Sequence, residues 1–514
     1  MNPAHGDEQN GPSRRRSAFG IMASGGAATF VVSIQALVLM PLYLRFVGPR
    51  LYGAWVASGD LFFYLNTLEF GIPNLMIQKI GASSARRDLA AVGRWAASGL
   101  AILAGGAAVL MMLCFPLAQR LPGWFNVDER AAVTLSRCFL LGGAAAALTL
   151  VNQAFVALAR GLQETAYQNV STVVSSLLGF GAAIGSVLYG AGLYSIPVSL
   201  VTRATCSAAF SVAFWYRRIP PAVRDNFVPD WCTFKSLLQL SPLTALGTIG
   251  YTTGSQTENL LTGMILGTDA VVLLSITRRG ADVLRNLVDM MTHASFGAFS
   301  HLAASPQRQK APGVFDELTR LRISVAVTAA AGFMALNKVF VGMWVGNSYY
   351  AGSVVTALIA LNFVFSGQSY LVNSLYRATG AITGGALLLV GEAVCRLPLS
   401  SAGAKYFGLA GLQAAAVLTA IVSLTAGNAL CRRLWREPSV ETSPTRTQQF
   451  APHAAVFVVG MACCLVAGLT NCGLGVSGLL GVLLAMALIY LVRTDAFFRG
   501  LLLSFSPKSL ARFR

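Results

Sequence analysis

The sequence is 514 residues long, 55% hydrophobic and only 11% charged, less than half the charged share of about 25% found in soluble domains. Such a chain cannot be a soluble globular enzyme throughout; it is expected to be an all-α polytopic membrane protein. Its net charge of +18 would suit a nucleic-acid partner if clustered, so the placement of the basic residues decides what the charge means.

Apolar spans between polar breaks predict fourteen transmembrane helices, near residues 19 to 46, 51 to 78, 95 to 118, 131 to 158, 166 to 189, 193 to 216, 236 to 266, 268 to 301, 321 to 346, 351 to 376, 381 to 404, 409 to 430, 453 to 471 and 474 to 492. With the amino terminus cytosolic, the inner segments hold 26 of the 38 basic residues, the outer segments seven, and the spans five. That bias places both termini inside and accounts for the charge with no nucleic acid. Nine cysteines show no C-x-x-C pair, so neither a disulfide framework nor a metal site is indicated.

Residues 1 to 18 form a polar, basic cytosolic tail. Helix 1 follows Arg14 to Arg16 but is too long for a signal peptide and reads as an uncleaved anchor, with a kink expected at Met40-Pro41. A tight outer turn, Val47 to Gly53, leads into helix 2, where Asp60, Asn66 and Glu69 precede the interruption Gly71-Ile72-Pro73. Broken, polar helices are tolerated at membrane depth only beside a cavity or other protein. Helices 3 to 6 are rich in Gly, Ala and Ser, which packing alone explains; Arg203 in helix 6 is the exception and needs a partner or water. The linker 217 to 235 then separates an N-lobe, 19 to 216, from a C-lobe, 236 to 432. A loop, 433 to 452, precedes a helix pair and cytosolic end at 453 to 514.

The C-lobe resembles the N-lobe at a spacing near 218 residues: Val47-Gly48 with Leu266-Gly267, Arg160-Gly161 with Arg377 and Gly380, and Tyr189 to Leu193 with Phe407 to Leu412. Six spans in each half make the lobes parallel repeats. Helix 7 is unusually polar and carries Glu258. Helix 8 is the focus of the chain, because Arg278, Asp282, Arg285, Asp289 and His293 fall within an arc of roughly 80° at helical spacing. Arg279 lies beside it. Ionisable groups at this depth cost at least about 2.5 kcal/mol each unless they face protein or water, so the stripe marks a pathway or binding site. The alternative is a purely structural ladder, since Arg278 and Asp282, like Arg285 and Asp289, are four residues apart. Glu392 and Arg396 in helix 11 repeat that spacing. His293 reads as a cavity residue and His301 as a cytosolic-end residue rather than as metal ligands.

The turn Gly48-Pro49-Arg50-Leu51-Tyr52-Gly53 is similar to the G-P-x-x-Y-G turn of bacterial polysaccharide transporters, and Leu68 to Pro73 resembles the element that follows it there. Ile276-Thr277-Arg278, Arg377 with Gly380, and Phe407 to Leu412 stand in the order of that family's second half. The resemblance, over residues 19 to 432, is to the lipid-linked oligosaccharide flippases of the multidrug and toxin extrusion-like superfamily. It implies two six-helix lobes facing a central cavity, alternating access in a bacterial inner membrane, and an undecaprenyl-diphosphate-linked oligosaccharide as substrate. Other polysaccharide-assembly proteins would be partners, and O-antigen or exopolysaccharide the product. Where family members carry an Asp late in helix 7, this chain has Glu258.

A diphosphate asks for fork-like donors in a place with little water, which suits arginine. Arg278 and Arg285 are the first candidates to hold it, and Arg203 and Arg396 the next. Glu258, Asp282, Asp289, Asp60 and Glu69 are candidates to couple transport to H+ or Na+. No catalytic residue, metal or bound cofactor is expected. Two other functions fit less well: a cation-coupled drug antiporter, disfavoured by the arginine stripe, and a membrane glycan ligase or polymerase, disfavoured by short outer loops without acid/base clusters. No phosphate-binding glycine loop indicates ATP hydrolysis.

Overall fold

The structure, a computed structural model, describes residue 35, residues 37–305 and residues 308–434. The expected tail, most of helix 1, nearly all of the loop from 433 and both helices of the C-terminal pair lie outside the described residues. Within them the chain is helical and contains no strand.

Glycine and proline punctuate the first third of the chain. Helix α1 (Leu37–Phe46) runs through Pro41. Gly48, at φ 88°, turns the chain into α2 (Pro49–Asn66), whose first residue is the proline that suits that position. A 3-10 turn (Thr67–Glu69) and two left-handed residues, Phe70 at φ 49° and Gly71 at φ 70°, then break the path before α3 (Ile72–Ala85). The expected interruption of helix 2 is therefore real. Helix α4 (Leu89–Trp124) starts on Asp88, whose Oδ1 accepts the Ala91 N–H at 2.9 Å. Next come α5 (Glu129–Gly161), α6 (Thr165–Leu188) and α7 (Ser195–Arg218).

The expected linker is docked. It contains a short helix, α8 (Pro221–Asp225), and Val223 within it is fully buried. A Cβ on Gly93 of α4 would stand 2.6 Å from the Val223 carbonyl oxygen, so only glycine permits that approach. The polar helix 7 is two helices, α9 (Trp231–Ser255) and α10 (Glu258–Ile265). Beyond them lie α11 (Thr268–Ala304), α12 (Ala311–Trp344), α13 (Ser353–Ala378) and α14 (Ile382–Leu434). Helix α14 contains both helix 11 and helix 12, joined through Gly408, whose φ of 61° and ψ of −145° are not helical.

Among the described residues seven helices are long and apolar enough to cross a membrane, and the protein is a multi-pass membrane protein. Helix α11 is long enough but too charged to count among them. The chain divides into two compact units, one ending at Asp269 and the other beginning at Ala270. In the first, α5 packs against α3, α4 and α7, α6 against α7, and α10 against α2. In the second, α13 packs against both α12 and α14. Positive-φ residues recur at the turns that the sequence repeat matches: Gly48 and Gly267, Gln163 and Gly380, Gly190 and Gly408, each pair roughly 218 residues apart.

Candidate substrate site

Thr277 anchors the charged helix within the second unit. It is fully buried, its carbonyl accepts from Asn337 Nδ2 of α12 at 3.0 Å, and its hydroxyl oxygen accepts the Ala351 N–H at 2.9 Å. One turn on, Gly280 lies against the Phe333 ring, 3.3 Å from where a Cβ would be. These contacts fix the rotation of α11 at the level of Arg278 and Arg279.

The pairing of charges differs from helical spacing alone. Arg278 Nε lies 3.4 Å from Asp282 Oδ1, as the four-residue interval suggests. Asp289 does not take Arg285: its Oδ1 accepts from Arg322 Nη2 of α12 at 2.6 Å. Arg322, the second residue of the predicted span 321 to 346, is 1% exposed. Pro312 near the start of α12 shows why, because Arg322 then stands about three turns inside the helix. Its guanidinium lies against the Cα of Gly367 on α13, with Nη1 2.8 Å from where a Cβ would be. Arg322 Nε and Nη1 are buried with no hydrogen-bond partner. Each such donor costs about 1–3 kcal/mol, a penalty natural proteins tolerate mostly where it serves a purpose.

Arg285, Asp289 and Tyr370 are close enough to act electrostatically on Arg322, and His293 packs edge-on against the Tyr370 ring with centroids 6.0 Å apart. Arg396 Nη1 lies 3.7 Å from Glu392 Oε1 within α14. The three carboxylates Asp282, Asp289 and Glu392 are thus each matched to one arginine. Arg279 and Arg285 remain half-buried with no ion pair among the described residues, and the Nε of each is buried without a hydrogen bond.

The acids of the first unit are committed differently. Asp60 is 2% exposed and caps α10 from a distance, its carboxylate accepting the Leu260 N–H at 2.9 Å and Asn259 Nδ2 at 3.0 Å. The Tyr64 hydroxyl hydrogen-bonds to Thr257 Oγ1, which also donates to the Thr253 carbonyl at 2.6 Å, so α2 stitches together the break between α9 and α10. Glu258 is buried in the first turn of α10, where the helix dipole favours a negative charge. Glu69 is half-buried in the 3-10 turn. Asp269 and Arg50 approach to 3.6 Å on the surface, 63% and 84% exposed, a pair of little energetic weight.

The first unit also holds a cavity of 620 Å³ between α2, α5, α6 and α7. Arg203 lines it together with Arg160, from the last turn of α5. The side chain of His301 lies outside the described residues.

A family model described as "Polysaccharide biosynthesis protein" matches residues 22–303, more than half of the chain. The chain belongs to the polysaccharide biosynthesis protein family. Solved structures of similar fold lie in the MOP superfamily of membrane transporters. An inward-facing multidrug resistance MATE family transporter is 14% identical, with a TM-score of 0.64 over 80% of this chain and 99% of its own. The lipid II flippase MurJ, in an inward closed conformation, is 12% identical, with a TM-score of 0.64 over 93% of this chain and 99% of its own. A Pyrococcus furiosus MOP superfamily transporter, described as having a binding pocket of reverse polarity that suggests a different function, is 14% identical, with a TM-score of 0.57 over 80% and 96%. No curated protein sequence matches. This polysaccharide biosynthesis protein therefore has a transporter fold, and its arginines sit on that scaffold.

Proposed function

We propose that the protein is a flippase that moves an oligosaccharide linked to undecaprenyl diphosphate from the inner to the outer leaflet of a bacterial inner membrane by alternating access, supplying O-antigen or exopolysaccharide assembly. One observation carries the reading: after Asp282 and Asp289 of α11 have each taken an arginine, Arg279 and Arg285 of the same helix are left with no ion pair among the described residues. Uncompensated guanidinium groups at membrane depth are costly and are relieved when an anion arrives. A diphosphate supplies two charges and fork-compatible oxygens. Arg278 and Arg396 are already charge-matched, by Asp282 and Glu392, and so are the weaker candidates to hold an anion. The family supports the pathway, and the likeness of fold to MurJ, itself a lipid II flippase, supports a lipid-linked substrate.

Asp282 and Asp289 remain candidates for H+ or Na+ coupling, since protonating either would free its arginine. The drug-antiporter alternative asks for an acidic site, yet Asp282, Asp289 and Glu392 are each matched to an arginine; a drug-susceptibility screen of an overexpressing strain separates the two. For the leading reading, Arg285→Ala and Arg279→Ala at normal protein levels are expected to lower surface-glycan export about 10-fold or more, from loss of a charge-assisted contact of about 1.5–3 kcal/mol. Unchanged export in both variants refutes the assignment.

A further inference from the structure

The 620 Å³ cavity of the first unit falls inside the range of about 300–1,000 Å³ found for small-molecule sites, and its lining is chemically one-sided. It is formed entirely by residues between Gly59 and Ser207, and none of the lining side chains is a carboxylate. Two arginines reach it, Arg160 from the end of α5 and Arg203 from α7, and neither forms an ion pair among the described residues. Gly179 on α6 makes room for Arg203, since a Cβ there would meet the Arg203 Cβ at 3.2 Å. The remaining wall is dense in amides and hydroxyls, among them Gln153, Gln168, Thr172 and Ser207.

Asn152 supplies the second, independent observation. It is 6% exposed and lines the cavity, and its Nδ2 donates to Ser207 Oγ at 2.8 Å. With that bond made, Oδ1 is buried without a hydrogen-bond partner. A buried orphan acceptor is costly unless a donor is brought to it. The cavity therefore asks for two things at once, an anionic group for the guanidiniums and a hydroxyl donor for Asn152. A hexose ring bearing a carboxylate meets both with one rigid group, whereas a neutral sugar meets the second alone.

We infer that this cavity is a selectivity site for an acidic sugar, a hexose ring bearing a carboxylate, within the transported glycan. The inference rests on the flippase reading for why a sugar would be there. Arg203 holds the carboxylate, Arg160 supplies the second positive charge, and Asn152 Oδ1 accepts from a ring hydroxyl. The site is separate from the arginines of α11 proposed for the diphosphate, so the protein would read the glycan and its lipid-linked phosphate with different helices.

Binding to purified full-length protein in nanodiscs tests this without transport. The probes are p-nitrophenyl β-D-glucuronide and its neutral counterpart p-nitrophenyl β-D-glucoside, followed by equilibrium dialysis. The expected result is about 10-fold tighter binding of the glucuronide, a preference that Arg203→Gln abolishes and Arg203→Lys partly keeps. Asn152→Leu should weaken both probes alike. Arg160→Gln, on a different helix, provides a second reading should Arg203→Gln fail to fold. Equal affinity for the two probes, or a preference untouched by Arg203→Gln and Arg160→Gln in folded protein, overturns the inference. So does displacement of the glucuronide by glycerol phosphate more readily than by free glucuronate, which would reassign the site to a lipid phosphate. Failure here with export still dependent on Arg285 would remove the acidic-sugar site and leave the flippase standing.

Discussion

Removing Asp289 should be far more damaging than removing Asp289 and Arg322 together. Asp289→Ala leaves Arg322, 1% exposed, with its charge uncompensated and all three guanidinium nitrogens without a hydrogen bond. Breaking a buried pair from one side in this way costs about 3–5 kcal/mol, roughly two to four decades in the folding equilibrium. Arg322→Met should cost less, because the carboxylate it abandons is 17% exposed and can reach water. In the double variant no charge is stranded and methionine fills much of the arginine's volume, so stability should return to within about 1 kcal/mol of the wild type. The coupling energy, read from denaturation of the four purified proteins in mixed micelles, should therefore exceed about 2 kcal/mol. If the single effects add to within about 0.5 kcal/mol, the two groups do not interact and the pairing is wrong.

Gly93→Ala should destabilise the protein by about 1–3 kcal/mol, since its Cβ would stand 2.6 Å and 2.7 Å from the backbone oxygens of Val223 and Asn226, which cannot swing aside. Gly105→Ala on the same helix, with nothing within 4 Å of the new atom, is the control and should be neutral or stabilising in the same thermal melt. Asp230 caps α9 by accepting from the Thr233 hydroxyl and the Thr233 N–H at 3.0 Å, and these bonds hold its carboxyl below the usual aspartate range. A carboxyl depressed on folding stabilises above its unfolded pKa and loses that contribution as pH falls through its folded pKa. The melting-temperature gap between wild type and Asp230→Ala should thus be constant near neutrality and shrink only below about pH 4.

Much of the fold is legible along the chain because hydropathy and the glycine and proline punctuation are local properties. The break at Gly71, the turns at Gly48, Gly267 and Gly408, and the length of α11 all follow from residues within a few positions of the feature itself. So does the ion pair Arg278–Asp282, since one helical turn joins its members. What sequence alone determined was that the protein crosses a membrane on several helices and carries arginines where lipid would reject them.

Tertiary structure decided which charges meet. Asp289 pairs with Arg322, 33 residues away, and not with Arg285, four away, because α12 brings a buried guanidinium within 2.6 Å of it. Asp60 accepts the Leu260 N–H at the amino terminus of α10, 200 residues later in the chain. The cavity holding Arg160, Arg203 and Asn152 gathers side chains from helices whose faces no periodicity could match to one another. Helical periodicity fixes a residue's angle about its own axis, whereas an ion pair or a cavity depends on the angles and heights of several helices at once, and only their packing sets those.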